Sequence, residues 1–230
     1  MDWTALNLSL KLAFFTTVVL LPVGIILARF FAWKQFKAKS LLEALCALPL
    51  VLPPTVLGYY LLVSMSGNSA LGKAFESISG HSLVFSFSGL LLASIIFNLP
   101  FAIQPMQRSF ESIEPDIRHA AACCGMSPWK IFWAIELPLA WPGIVSAMVM
   151  TFAHTVGEFG VVLMVGGNIP GETKTIAIAI YDRVQAFDTA GAGVMSAVLL
   201  LLSLIAIAVA YATTATTATT AKTSKYGKQT

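Results

Sequence analysis

The residues best suited to chemistry are a histidine and a glutamate four positions apart, His154 and Glu158, in an otherwise apolar stretch. On a helix this spacing puts both side chains on one face, one turn apart. A carboxylate at membrane depth is a functional candidate by default. Its charge argues against binding an anion, because like charges about 4 Å apart repel by about 4 kcal/mol at an effective dielectric constant near 20. We therefore favour a packing or gating pair over an anion ligand.

Three other patterns that could do chemistry are incomplete. Gly166 and Gly171 have the separation of a phosphate-binding loop, but Glu172-Thr173 stands where Lys-Ser/Thr is required. The adjacent Cys123-Cys124 has no second ligand pair at zinc spacing, so we expect two small packing residues. The three histidines are scattered and match no hydrolase motif. The sequence predicts no catalytic residue, cofactor or metal, and a partner must hydrolyse ATP if the protein pumps.

The composition is that of an integral membrane protein. Of the 230 residues, 57% are hydrophobic and 11% charged, and the mean hydropathy is +0.80, which is far from the make-up of ordinary soluble domains. Charge-poor runs long enough to cross a hydrocarbon core of about 30 Å predict an all-α, polytopic bundle with five transmembrane helices: 6–32, 44–65, 83–106, 139–165 and 190–212. The first run follows Asp2 and no basic segment, so we expect a retained helix.

The basic residues predict how these spans are oriented. With the N-terminus outside, ten of the fourteen Lys and Arg residues lie on the cytoplasmic side, as the positive-inside rule favours. The C-terminus and the polar segment 105–138 are then cytoplasmic as well. The net charge of +3 comes without a basic patch, so the sequence indicates no nucleic-acid partner.

The polar segment 105–138 is predicted to form two short helices joined by a glycine. Glu114-Pro115-Asp116 is typical of a helix start and Gly125 of a helix end. Ser127-Pro128 supplies the N-cap and first residue of a second helix, which we expect Leu137-Pro138 to end. Small side chains on the first helix would let another surface approach its backbone closely. Spacing alone also fits an amphipathic pair that rests on the bilayer.

Prolines indicate that two of the spans are irregular, the second and, at Pro100 and Pro105, the end of the third. Pro49, Pro53 and Pro54 fall within six residues of the second span, and each removes a backbone donor, so this helix must kink or break. Membrane helices are rich in proline in general, but three so close together favour a mobile or pathway-lining element. We take the following residues as pathway or gate candidates: Pro53, Pro54, Thr55, Asn98, His154 and Glu158.

The segment from His119 to Gly125, followed by Ile135-Glu136-Leu137-Pro138, resembles the cytoplasmic loop signature of ABC importer permeases. In that family the pattern is Glu-Ala-Ala, three residues, Gly, nine residues and Ile-x-Leu-Pro. The spacing agrees throughout, although His119 stands where the family usually has Glu. The resemblance implies the type I permease fold and a loop that couples the protein to an ATPase, with these residues: His119, Ala120, Ala121, Gly125, Ile135, Leu137 and Pro138.

Within that family the chain looks like the molybdate group. The similarity rests on residues 48–62, 157–160 and 167–173 and covers nearly all of 5–212. Sulfate permeases are similar in the last two segments, so sulfate or tungstate remains an alternative substrate. A secondary carrier would show repeated halves, and we find no internal repeat. Relatives often carry Arg where this chain has His154. Because histidine changes its charge near physiological pH, a positive charge at this position would depend on pH.

The resemblance also implies partners and a location. We expect a symmetric homodimer, because five spans are unlikely to enclose a gated path alone, together with cytoplasmic ABC ATPase subunits and an external oxyanion-binding protein. Neutral donors would suffice along the path, because a tightly held dianion would not leave. Gly167, Asn168 and Pro170 would form an external docking loop. We expect a multi-pass protein of the bacterial inner membrane, in contact with lipid, with a permease domain at 5–212 and a low-complexity cytoplasmic tail at 213–230.

Overall fold

The computed structural model describes the backbone of residues 1–226 and the side chains of residues 1–208. Every regular element in this part of the chain is helical, so the predicted all-α class is confirmed. The helices are α1 (Trp3–Trp33), α2 (Lys39–Val51), α3 (Pro54–Met65), α4 (Ala70–Ser79), α5 (Phe87–Glu111), α6 (Pro115–Cys123), α7 (Pro128–Ile131), a π-helical segment (Phe132–Glu136), α8 (Leu137–Val156), α9 (Gly160–Gly166), α10 (Ile176–Gln185) and α11 (Thr189–Tyr226).

Four helices are long and apolar enough to cross a membrane: Trp3–Trp33, Phe87–Glu111, Pro128–Val156 and Thr189–Ala208. The pair α2 and α3 makes a fifth span if it is counted as one, but its axis bends by 111°. The bend lies at Leu52-Pro53-Pro54, where Leu52 and Pro53 are extended (ψ 136° and 134°). A residue before proline disfavours helical geometry, and Pro54 then starts α3 as its first residue. The predicted break in the second span is confirmed.

The centre of the bundle is α5, which contacts α1, α2, α3, α8 and α9. One apolar core joins α1, α5 and α8 through side chains that are nearly inaccessible, including Ala28, Ile103, Met106, Ile144 and Ala147. On the other side, α11 packs on α8 and α10. Two polar side chains of α5, Ser94 and Asn98, are fully buried and reach Glu158 at the break between α8 and α9.

The fourth predicted span, 139–165, is wrong as a single helix. Helix α8 ends at Val156 and the separate α9 begins at Gly160. Glycine weakens a helix interior by about 1 kcal/mol relative to alanine, and two glycines flank this break. Gly160 is also where α9 meets α3, since a Cβ on it would lie 2.8 Å from the Cβ of Pro54. The spacing had predicted that His154 and Glu158 share one helix face. This prediction is wrong, because α8 ends between them.

Other predicted boundaries also need correction. Helix α5 runs past Pro105 to Glu111, five residues beyond the predicted end of the third span. The short helix α4 was not predicted. The Ala-Thr-Thr segment continues α11 as far as Tyr226, and the last residues of the predicted 213–230 tail, 227–230, lie outside the described residues.

Candidate functional site

The loop after α5 contains the predicted helix pair, and Gly125 ends the first helix in a left-handed conformation (φ 78°). Its N–H donates to the Ala122 carbonyl at 3.0 Å, and the Met126 N–H donates to the Ala121 carbonyl at 3.2 Å. These two bonds form the Schellman cap that satisfies the last carbonyls of a helix. A Cβ on Gly125 would meet nothing within 4 Å. Backbone conformation, and not crowding, therefore requires glycine here.

The C-terminal half of α6 exposes mainly small side chains, next to the larger His119. His119, Ala120, Cys123 and Cys124 are exposed, whereas Ala121 is buried. The small exposed residues leave the backbone of α6 open to close approach by another protein, as the sequence suggested. Ala121 instead packs inward, so its small size serves the fold of the loop itself.

The second helix of the loop begins as predicted but does not end at Pro138. The Ser127 hydroxyl caps it by accepting from the Lys130 N–H at 3.3 Å. The helix then widens into the π-helical segment, where the Leu137 N–H donates to the Phe132 carbonyl five residues back. Proline is tolerated within the first turn of a helix, and the wider turn before it lets α8 continue through Pro138. The second helix of the loop thus runs without interruption into the span that ends at Val156.

Glu136 lies in this π-helical segment and holds the loop to the rest of the bundle. Its side chain is fully buried, and its two oxygens accept from Arg29 Nε at 2.5 Å and from Arg118 Nε at 2.6 Å. A buried charge is costly unless it is paired and hydrogen-bonded. Arg29 belongs to α1 and Arg118 to α6, so one carboxylate joins three elements.

Aromatic rings complete the setting of the two arginines. The Arg118 guanidinium lies 4.0 Å from the centroid of the Trp33 ring, and that of Arg29 lies 5.1 Å from Phe132. Both distances are within the range of cation–π attraction. We call Arg29, Arg118 and Glu136 the loop clamp. Sequence reasoning missed it, although an acid in the apolar run 131–140 was a signal that a basic partner had to be found elsewhere.

A second buried polar cluster lies at the break between α8 and α9. The Asn98 amide nitrogen, on α5, donates to the Ser94 carbonyl at 2.9 Å and lies 3.4 Å from Glu158 Oε2. Ser94 Oγ donates to the same Glu158 oxygen at 2.9 Å. Since the Asn98 nitrogen is committed to these acceptors, its oxygen accepts from His154 Nδ1 at 2.9 Å, which assigns the proton to Nδ1.

This cluster unites three of the predicted pathway or gate residues. Asn98 is their common partner, and the His154 ring stacks on Phe101 with centroids 4.0 Å apart. Glu158 is 4% exposed, and its Oε1 has no hydrogen-bond partner within the described residues. The remaining three candidates, Pro53, Pro54 and Thr55, are exposed at the start of α3. Of these, Pro54 and Thr55 lie next to Gly160, the neighbour of the cluster.

The predicted docking residues lie in one loop between α9 and α10. Gly167 and Gly171 have positive φ (67° and 82°), and the Asn168 amide donates to both oxygens of Asp182 at 3.0 Å. Lys174 Nζ lies 2.6 Å from the same carboxylate. Partial desolvation raises the pKa of Asp182, but hydrogen bonds from Lys174 and Asn168 and the lysine charge together lower it. The carboxylate thus ties the loop to α10.

Comparison with known proteins assigns the chain to a family. Residues 21–216 match the family described as the binding-protein-dependent transport system inner membrane component. The chain belongs to this family. It is the membrane-spanning permease subunit of an ABC importer, as the loop signature had indicated.

Curated relatives of this permease are molybdenum and sulfate permeases. The molybdenum transport system permease protein ModB of Azotobacter vinelandii is 43% identical over 212 residues, which is 92% of this chain and 94% of that protein. ModB of Haemophilus influenzae is 40% identical over 89% of this chain and 88% of its own length. The probable sulfate permease cysT of Chlorella vulgaris is 31% identical and covers 87% of this chain and 75% of that protein.

Solved structures of ABC importers share the fold of this permease. A bacterial transporter of the polysaccharide alginate superimposes with a TM-score of 0.71 at 18% identity, covering 90% of this chain and 78% of that chain. The inward-facing MetNI methionine transporter gives 0.64 at 19% identity, covering 92% and 94%. The predicted permease fold is therefore confirmed.

Proposed function

We propose that this permease carries molybdate from an external binding protein to the cytoplasm. The proposal rests on similarity to permeases named for molybdenum transport, of which the A. vinelandii protein is 43% identical over nearly its whole length. The sulfate relative is less similar and covers less of its own chain, so sulfate is the weaker alternative.

Partner subunits follow from the same proposal. Phosphate-loop chemistry is incomplete at 166–173, where Glu172-Thr173 replaces the Lys-Ser/Thr pair, so separate ABC ATPase subunits would hydrolyse ATP. We propose that they bind the exposed face of α6, where His119 and Ala120 are accessible on the helix that Gly125 ends. The external binding protein would dock on Gly167, Asn168 and Pro170, and a second copy of the chain would complete the pathway.

The loop clamp supports a mechanical role for the loop. A displacement of α6 moves Arg118, whose partner Glu136 is shared with Arg29 of α1. Glu136 lies within the helix that continues to Val156. Val156 in turn is two residues before the buried Glu158. We propose that movement of the ATPases reaches α1 and the α8–α9 break through this continuous helix and the clamp.

The buried cluster supports a gate more than an anion site. Glu158 is negatively charged when ionised and would repel an oxyanion, while Ser94 and Asn98 are already committed to it. We propose that His154 and Glu158 hold α5 to the α8–α9 break in one transport state. Selection among oxyanions would then belong to the external binding protein.

Uptake by the reconstituted transporter tests the proposal. The chain, its ATPase and its binding protein are placed in proteoliposomes, and uptake of radioactive molybdate is measured with unlabelled molybdate, tungstate or sulfate as competitor. We expect ATP-dependent uptake that molybdate competes away and an equal amount of sulfate does not. A parallel assay uses radioactive sulfate, and uptake of sulfate without uptake of molybdate would refute the substrate assignment and leave the permease role in place.

A further inference from the structure

A large groove lies between the end of α1 and the helix that begins at Pro128. Its volume is about 810 Å³. Four of the five tryptophans of the chain line it: Trp33, Trp129, Trp133 and Trp141. Tryptophan is enriched where a membrane protein crosses from hydrocarbon to water. The groove therefore lies at the membrane interface on the side of the α6–α7 loop.

The groove is apolar along its length and cationic at one end. Its lining on α1 runs from Leu21 to Trp33, which is roughly 18 Å of helix at 1.5 Å per residue. That length matches one leaflet of a hydrocarbon core about 30 Å thick. Arg29, Lys34 and Arg118 also line the groove, and Lys34 directly follows the last residue of α1.

The cationic end carries more positive than negative charge. Arg29 and Arg118 share the single carboxylate of Glu136. Lys34 is exposed, and no ion pair involves it in the part of the chain that the structure describes. Three cations thus meet one anion, and the excess of two positive charges faces an aromatic, apolar channel. A bound anion with an apolar tail would complement both features.

We propose that this groove binds an anionic phospholipid of the adjacent leaflet. The acyl chain lies along α1 and the tryptophans, and the headgroup phosphate contacts Lys34 and the two arginines. Basic pockets between transmembrane helices bind acidic lipid headgroups in this manner. A free phosphate would leave the apolar channel unfilled, and a zwitterionic lipid would leave the charge excess uncompensated.

A lipid bound in this groove would contact the loop clamp directly. Its phosphate contacts the same arginines that hold Glu136, so an acidic lipid would stabilise the seating of α6 against α1. The site does not depend on which oxyanion is transported. Its failure and the failure of the molybdate proposal are therefore distinguishable.

Tryptophan quenching by brominated lipids tests the site, because four of the five fluorophores line the groove. The full chain is reconstituted into nanodiscs of phosphatidylcholine that contain increasing fractions of acyl-brominated phosphatidylglycerol or acyl-brominated phosphatidylcholine. We expect half-maximal quenching at a clearly lower fraction of the anionic lipid. Lys34→Gln should raise that fraction roughly fivefold, since each basic residue near an anionic surface contributes about 1 kcal/mol.

The matched control is Lys37→Gln, an exposed lysine three positions further that does not line the groove. It should leave the quenching curve unchanged. Equal quenching by both brominated lipids, or equal effects of the two lysine variants, would overturn the proposal. Competition by soluble glycerol phosphate at the lipid's own concentration would show a phosphate site and no lipid site. Loss of the anionic preference when ATPase subunits are bound would assign the groove to that interface instead.

Discussion

Arg118 and Glu136 are 18 positions apart in the sequence, and the arginine Nε lies 2.6 Å from a carboxylate oxygen. The first residue is on the short helix α6 and the second is in the π-helical turn of the following span. Their ion pair closes the α6–α7 loop on itself. Because the other oxygen of Glu136 binds Arg29, the closed loop is also fastened to the first transmembrane helix.

Removal of the central carboxylate should loosen this arrangement. Glu136→Gln leaves two arginines without their anion, and loss of one partner of a buried pair costs about 3–5 kcal/mol. We expect the lower end of that range, because the side chains of Arg29 and Arg118 are 35% and 27% exposed. Thermal unfolding of the purified variant in detergent measures the loss.

The control for this variant is Glu43→Gln. Glu43 is 33% exposed, lies 3.9 Å from Lys39 and accepts from the Gln107 amide at 2.8 Å. Glutamine can still accept from Gln107, so this variant loses only a solvent-screened ion pair worth at most about 1 kcal/mol. A Glu136 variant no less stable than the Glu43 variant would show that the clamp contributes little to the fold.

Gly125→Val should uncouple ATP hydrolysis from transport. Left-handed backbone costs an L-residue about 1–2 kcal/mol, and a β-branched residue more, so the Schellman cap should be lost while the spans stay inserted. We expect a normal amount of protein in the membrane, no substrate uptake and no stimulation of ATPase activity by loaded binding protein. Gly125→Asn should retain part of both activities, because asparagine tolerates this conformation.

Gly80 supplies a matched control for the same backbone strain. It caps α4 with φ 74°, and a Cβ there also meets nothing within 4 Å. Gly80→Val should therefore suffer a similar local penalty without loss of coupling. If both valine variants lost uptake equally, strain alone would explain the result, and the coupling role of the loop would be rejected.

Glu158→Gln should change the rate of transport and not its selectivity. Glutamine can still accept from Ser94 and Asn98, so the cluster should keep its geometry while losing a charge. We expect an uptake rate altered by less than about tenfold, a barrier change below about 1.4 kcal/mol. The ratio of molybdate to sulfate uptake should stay constant in competition assays. The comparison is Ser94→Ala, which removes a hydrogen bond to Glu158 and keeps the carboxylate. A reversed preference would place Glu158 in the substrate site.

The orientation can be tested by cysteine labelling of intact cells. The native cysteines must first be replaced, since Cys123 and Cys124 are exposed and Cys46 partly so. Single cysteines are then introduced at Lys37 and Asn168, both of which are exposed. An impermeant reagent should label position 168 only, because ten of fourteen basic residues favour a cytoplasmic position 37. The opposite pattern would invert the topology.

The sequence by itself determined the features that depend on local chemistry. Apolar runs predicted the spans, because burial of the backbone in lipid requires helices about as long as the membrane is thick. Consecutive prolines predicted the break before α3, because Pro53 and Pro54 carry no N–H and disfavour helix in the preceding residue. Gly125 predicted the end of α6 for a similarly local reason, its tolerance of positive φ.

Tertiary structure decided which distant side chains meet and where long helices end. Pro138 did not end its helix, because a π-helical turn precedes it. His154 and Glu158 do not lie on one helix, because α8 ends at Val156 and α9 begins at Gly160, which packs on Pro54. The loop clamp joins residues 18 and 107 positions apart. Such contacts depend on how helices pack around α5, and the spacing of residues along one segment carries no information about them.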